Sequence, residues 1–523
     1  MKRREMLKEM LATPLLAGTA AGQPSAQEPV VEIPSTPSAY PEMTPRLKET
    51  NGRDMPNILW ITADMCRFDT IEGLNNPYIH TPNLRRLMAE GVTLTHAVVQ
   101  CPICAPSRAS FLTGRYPHTT GLRSNGQRIR PSERLVTKIL ADAGYECDLV
   151  GKLHLSPCEG GRDEDRIDDG YDIFWWSHDI SDQWPGKNMW RVWLQSQGVK
   201  WPTPPPNTPV WGVPIDPKYN QSAWCADKAI ELMRLEHRFR PWLISVNTFQ
   251  PHHPFLPTEE YFRRYDPDKI PSPRYRKGEL ETKSPYARTD HQGAYGGKDL
   301  SFAKTDDLTH RKITAAYYAM IEQVDHAIGR MLDTLKETGQ EKNTIVIYHS
   351  DHGEMLGDHG IYLKGPYFYE QVIRVPLIIR WPEGYKSGLK SDALVELADL
   401  APTLLEAAGI PIPYGMQGRP MAKLLKGETS THRSAVYSEF YNANFEYDPT
   451  PWATMVRTDR YKLFVYHSLG GWGELYDLER DPWEFNNLWN QPDARSIRTE
   501  MQALLIARMS ETIDPLPLQH AYW

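Results

Sequence analysis

Asn57-Ile58-Leu59-Trp60-Ile61-Thr62-Ala63-Asp64 is a short apolar run that ends on a carboxylate. Its length and composition predict a buried strand with Asp64 at the C-terminal edge. The same form recurs at Thr344 to Ser350, followed by Asp351-His352, and at Leu243 to Phe249, followed by Gln250-Pro251-His252-His253. Arg311 to Thr338 has the apolar spacing and length of an amphipathic helix. Strands alternating with helices, with polar residues gathered at the strands' C-terminal ends, predict an α/β fold whose ligand site lies along one sheet edge.

A second stretch carries chemistry: Cys104-Ala105-Pro106-Ser107-Arg108-Ala109-Ser110-Phe111-Leu112-Thr113-Gly114. Ser107 to Thr113 reads as the first turns of a helix, with Cys104 just before it. Helix amides and the positive dipole end favour an anion there. Arg108 adds a donor fork suited to sulfate or phosphate. A nucleophile beside an anion-binding cup is what ester hydrolysis needs. The spacing of Cys101 and Cys104 also fits a redox or zinc pair, and a buried thiol is a further reading. No second pair at similar spacing exists for a metal, and Pro106-Ser107-Arg108 is not a thioredoxin-like context.

The Cys-x-Pro-x-Arg core resembles the signature of the type I sulfatases, in the alkaline-phosphatase-like superfamily. Five further motifs resemble that family in order, and the resemblance runs from Pro56 to Leu488. It implies a large, mostly parallel sheet flanked by helices, plus a smaller C-terminal antiparallel sheet with a helix. It also implies that Cys104 is oxidised by a formylglycine-generating enzyme to formylglycine, whose hydrate attacks sulfur. Asp64, Cys104, Asp351 and His352 would hold a divalent cation, usually Ca2+, with Mg2+ or Mn2+ as alternatives. Gly151-Lys152-Leu153-His154 resembles the segment whose lysine and histidine contact the formylglycine. Pro251-His252-His253-Pro254-Phe255 resembles the segment with a sulfate-contacting histidine, placed at His252, and Lys364 matches the sulfate-binding lysine. The implied mechanism has Cys104, Arg108, Lys152, His154, His252 and Lys364 as catalytic residues. The leaving alcohol takes a proton from His252 or Lys364, and His154 removes the proton from the second hydroxyl to expel sulfate.

Taken singly, these residues have plainer readings: an Asp at a strand end is commonly a cap, and a lone Lys or His a solvated or satisfied group. The order of motifs favours the site. His253 is expected to point away from His252 along an extended segment, and His359 is open between the two readings. One departure from the family is Met65, where a second aspartate is common; a thioether is a poor partner for calcium.

The chain has 523 residues and a formal charge of -7 without a polybasic run, so neither nucleic acid nor an anionic membrane is expected as a partner. Residues 1–27, with Lys2-Arg3-Arg4 before a mildly apolar stretch, read as an export signal of the twin-arginine type, and residues 28–54 as a linker. After cleavage the expected product is periplasmic or secreted, with no membrane span. Residues 55–427 are expected to form the catalytic domain and 428–523 an α+β subdomain, from strands at Ala435 to Phe440, Ala453 to Arg457, Tyr461 to His467 and Glu474 to Leu478 and a helix at Ser496 to Ser510. Six cysteines permit three disulfides, and conversion of Cys104 would leave at least one unpaired. Asp163-Glu164-Asp165 reads as a solvated turn. The tryptophan-rich stretch with Trp175, Trp176, Trp184, Trp190, Trp193, Trp201, Trp211 and Trp224 reads mainly as core, though exposed faces would suit sugar rings. The expected substrate is a sulfated glycan or small sulfate ester. Two competing readings are a phosphonate monoester hydrolase or phosphodiesterase, and a glycan-binding pseudoenzyme.

Overall fold

The computed structural model describes residues 55–74, 76–158, 162–179, 187–205, 208–235, 240–441 and 447–517. The export signal, the linker and Trp184 lie outside these residues. A nine-stranded sheet is built from β1 (Asn57–Ala63), β2 (Val92–Val98), β3 (Glu146–Gly151), β4 (Ile173–Trp176), β5 (Trp242–Thr248), β6 (Thr344–Ser350), β7 (Arg374–Val375), β8 (Leu377–Arg380) and β9 (Leu389–Glu396). The order is β4-β3-β5-β1-β6-β8-β2-β7, with β9 beside β2. The run from β4 to β6 is parallel throughout, as is β2 with β9. At β8 the sheet turns antiparallel to β6 and β2.

The strands read as continuous apolar runs because they are buried on both faces. Alternate residues of β1 feed two cores: Ile58 and Trp60 face one, Leu59, Ile61 and Ala63 the other. A helix over Asp307–Glu337 covers the second core with Ile313, Tyr317, Met320, Val324 and Ile328, and its N-terminus is capped by the Asp306 side chain. Trp176, Trp190 and Trp224 are buried as the core reading expects, while Trp175, Trp193 and Trp201 are half-buried against the second core. Among the described residues no helix is long and apolar enough to cross a membrane.

Register decides where chemistry can gather. Ala63 pairs with both Thr248 and Ser350, and Gly151 with Asn247, so β3, β5, β1 and β6 end almost flush. Lys152, Asp64 and Asp351 then leave the sheet side by side. Gly151 (φ 110°) is needed at this edge, because a Cβ there would lie 2.0 Å from the Asn247 carbonyl oxygen.

Beyond the main sheet, β10 (Val436–Tyr441), β11 (Trp452–Arg457), β12 (Tyr461–Tyr466) and β13 (Trp472–Asp477) form an antiparallel meander. One face, with Phe440, Met455, Phe464 and Tyr476, packs into the first core. The other, with Tyr437, Leu463 and Leu475, packs on Met501 and Leu505 of the helix Arg495–Glu511. All six cysteines are buried and unbridged.

Candidate active site

The helix carrying Cys104 spans Cys104–Thr113 and is buried along its whole length. Cys104 is its first residue, not the residue before it as the sequence reading has it: Ile103 is extended and Pro106 sits inside the first turn, where its missing N–H costs nothing. The side chain of Asn125 accepts from the Ala105 amide at 3.0 Å. Gly114, left-handed at φ 67°, closes the helix.

Eight of the nine expected residues form one connected group. Cys104 Sγ lies 2.8 Å from Lys364 Nζ, 3.1 Å from His352 Nε2 and 3.9 Å from Asp64 Oδ1. Lys152 Nζ pairs with Asp64 Oδ2 at 2.5 Å. Arg108 donates from Nε to Asp351 Oδ2 at 2.8 Å and from Nη1 to the Lys152 carbonyl at 3.0 Å, with Nη2 3.6 Å from Asp64. Lys364 Nζ reaches His252 Nε2 at 3.0 Å and His352 Nε2 at 3.1 Å. The other oxygen of Asp351 accepts from the amides of Met65 and His352, and Ser107 Oγ donates to its carbonyl. Met65 itself is left-handed (φ 68°) and packs in the second core, so its amide rather than its thioether serves the site.

Electrostatics follow from this packing. Burial alone would raise the Asp64 carboxyl, but Lys152, Arg108 and Lys364 hold it well below the usual range. Burial would also raise the Cys104 thiol; Lys152 and Lys364 outweigh it and bring it to about 7. Burial and Lys364 push His252 well below the ordinary imidazole value.

His154 stands apart. Burial and then Lys152 hold it neutral, and among the described residues its ring makes no hydrogen bond; its Nδ1 is buried without a partner. It takes φ 64° and faces His178, with ring centroids 5.5 Å apart. Its backbone is fixed by a residue the sequence reading assigns to solvent. Glu164 is buried and accepts from the amides of His154 (2.8 Å) and Leu155 (2.5 Å) and from the Trp176 indole (2.8 Å). Three buried donors need a double acceptor there, which neither Asp163 nor Asp165 supplies.

Two further expectations are resolved. His252 and His253 do not point apart: the chain turns after β5, and their rings stack with centroids 4.1 Å apart. His359 bonds Glu279 at 3.2 Å and packs on Tyr369, so it braces the fold away from Cys104.

Asp64, Cys104, Asp351 and His352 each offer a ligand atom, all within 4.8 Å of one another. Two carboxylates and an imidazole around a helix head, with three cations beside them, are donors of the kinds that could hold a divalent metal and a tetrahedral oxyanion. Residues 56–410 match the family model described as Sulfatase, and residues 357–511 match that of the N-sulphoglucosamine sulphohydrolase C-terminal region. The chain belongs to the sulfatase family. It is a sulfuric ester hydrolase on an alkaline-phosphatase-like fold. Similar sulfatases include the arylsulfatase of Clostridium perfringens, 29% identical over 87% of this chain and 94% of that protein. The N-acetylglucosamine-6-O-sulfatase of Bacteroides thetaiotaomicron is 25% identical, over 88% of this chain and 87% of that protein. Among solved structures, the phosphonate monoester hydrolase of Silicibacter pomeroyi superposes with a TM-score of 0.77 at 25% identity, covering 88% of this sulfatase and 96% of that chain.

Proposed function

We propose that this sulfatase hydrolyses a sulfate ester on a carbohydrate, with position 104 as nucleophile. The observation that carries this reading is the convergence of Asp64, Arg108, Lys152, His252, Asp351, His352 and Lys364 on Cys104 at the head of a buried helix. The donors at Asp64, Asp351 and His352 suit a divalent cation, and an imidazole among them favours Mn2+ beside the Ca2+ and Mg2+ that oxygen donors serve. Converted to formylglycine, residue 104 supplies a hydrated-aldehyde hydroxyl, and the cation supplies charge for the nonbridging oxygens.

The remaining steps belong to side chains. Arg108, Lys152 and Lys364, all buried, present fixed positive charge to the sulfuryl oxygens, and preorganised charge is worth most away from solvent. His252 donates from Nδ1 to the His253 carbonyl at 2.6 Å, so the neutral ring carries its proton there and its Nε2 accepts from Lys364. The Lys364 ammonium is therefore the acid for the leaving alcohol, with His252 aiming it. His154, neutral and with a free lone pair, takes the proton that accompanies sulfate release.

The glycan substrate is supported by the named specificity of the Bacteroides relative, and Trp201 lines a small cavity together with His252. Export rests on the basic stretch Lys2 to Lys8 and is tested by locating the protein in a native host. A second reading, phosphonate ester hydrolysis, is favoured by the phosphonate monoester hydrolase superposition and by the imidazole in the metal set. Turnover of paired aryl sulfate and aryl phosphonate esters separates them. Higher kcat/KM is expected for sulfate, with a loss of at least about 10³-fold in Cys104→Ala with folding retained. Preference for the phosphonate would install the second reading, and undiminished turnover in Cys104→Ala would remove both.

A further inference from the structure

A second group of metal-ligating side chains lies beside the first. His154, Cys158 and His178 are all buried, and one ligand atom from each falls within 4.8 Å of the others. The sheet creates this meeting. Strands β3 and β4 are parallel neighbours, with Gly151 opposite Trp176, so the segments leaving them carry His154 and His178 out at the same edge. Cys158 returns to this edge four residues after His154.

The donor set differs in kind from that around Cys104. Two imidazoles and a thiol are the ligands of zinc, whereas the carboxylates of Asp64 and Asp351 suit harder cations. Three protein ligands also leave the fourth tetrahedral position open. Zinc needs its donors roughly 3.4–3.7 Å apart for bonds of about 2.0–2.3 Å. The loops bearing His154 and Cys158 would have to close by about 1 Å from the present spacing of up to 4.8 Å. Burial, with Lys152 nearby, already holds both imidazoles in the neutral form that ligates. Binding would release one proton, from the Cys158 thiol, as the sulfur becomes a thiolate ligand.

We propose that His154, Cys158 and His178 form a zinc-selective site whose occupation takes His154 out of the reaction. The inhibitory half rests on the role given to His154 under the proposed function; the binding half does not. Zinc on a ring nitrogen of His154 consumes the lone pair that sulfate release requires. Zinc in the cleft should therefore inhibit reversibly, while calcium at the Asp64 group should not.

The test reads binding and activity separately. Wild type, Cys158→Ala and His178→Gln are dialysed against zinc with calcium in excess, and bound zinc is measured by metal analysis. Each variant should hold about one equivalent less than wild type. In a Cys104→Ala background, added Co2+ should give a thiolate-to-metal charge-transfer band that Cys158→Ala abolishes. Zinc should inhibit wild-type aryl sulfate turnover and a chelator should restore it. The inhibiting concentration should rise about tenfold or more in Cys158→Ala, whose turnover without zinc stays at the wild-type level. Equal zinc content in all three proteins, or a cobalt spectrum without the thiolate band, overturns the site. Zinc bound without inhibition overturns the part assigned to His154. A chain that fails to turn over any sulfate ester still reports zinc and cobalt binding, so failure of the functional reading is distinguishable from failure of the site.

Discussion

Glu164 shows how a single buried carboxylate can set the backbone of His154, the residue proposed above to take the proton. His154 sits at φ 64°, a region costing an L-residue of order 1–3 kcal/mol, and the three bonds to Glu164 hold the turn that imposes it. In Glu164→Gln one donor would face an amide NH2 and lose its acceptor, at about 1–3 kcal/mol. The expected result is a roughly tenfold lower kcat at nearly unchanged KM, because the base is displaced while the cations that bind sulfate stay in place. Steady-state kinetics beside a melting curve check it, and an unchanged kcat would deny Glu164 this positioning role. Nothing local marks Glu164 in the sequence, since Asp163 and Asp165 are as acidic and only the folded turn presents the three donors. By contrast, Cys104, Arg108 and Lys152 are legible because their motifs specify a geometry, and the structure brings all three within 3.9 Å of the Asp64 carboxylate.

At the scale of elements, the C-terminal edge of β3, β5, β1 and β6 is the platform. The limits of β1 and β6 coincide with the apolar runs read from sequence, because each run ends at an aspartate and is buried apart from Asn57. The antiparallel portion was not legible in this way: β7 and β8 are two and four residues long, too short to show any period. Gly151 tests the flush edge. A methyl group at this position would combine φ 110° with a 2.0 Å approach to the Asn247 carbonyl. Gly151→Ala should cost about 2–5 kcal/mol and move Lys152 off Asp64. Chemical denaturation would read the first effect. Loss of turnover in the fraction that remains folded would read the second, and wild-type stability would contradict this account of the edge.

For the whole molecule, buried charge joins the small sheet to the main sheet beside the apolar face it packs into the first core. Glu396 accepts from Tyr116 Oη, the Tyr437 amide and Arg508, joining the main sheet, the meander and the last helix. His118 adds a pH-dependent tie, with Nδ1 2.7 Å from Glu439 and Nε2 2.7 Å from the Thr512 carbonyl. Burial lowers the His118 pKa, but Glu439 and Thr512 outweigh it and the net shift is upward. A histidine raised in the folded state gives stability that is complete below the unfolded value of about 6.5 and disappears as pH rises through the folded value. The stability difference between wild type and His118→Gln should be largest near about pH 6, at about 1.5–3 kcal/mol, and shrink toward about pH 9. Melting curves across that range check the sign; a difference that grows with pH would contradict it.

The proposed reaction stands on conversion of residue 104 into the nucleophile. Mass spectrometry of the peptide containing position 104, from protein produced with a sulfatase-modifying system, tests it most directly. The expected result is the mass change of a thiol converted to an aldehyde, in a fraction of the protein that tracks its specific activity toward aryl sulfate. An unmodified thiol in protein that is fully active, or that remains unmodified in its native host as well, would contradict it.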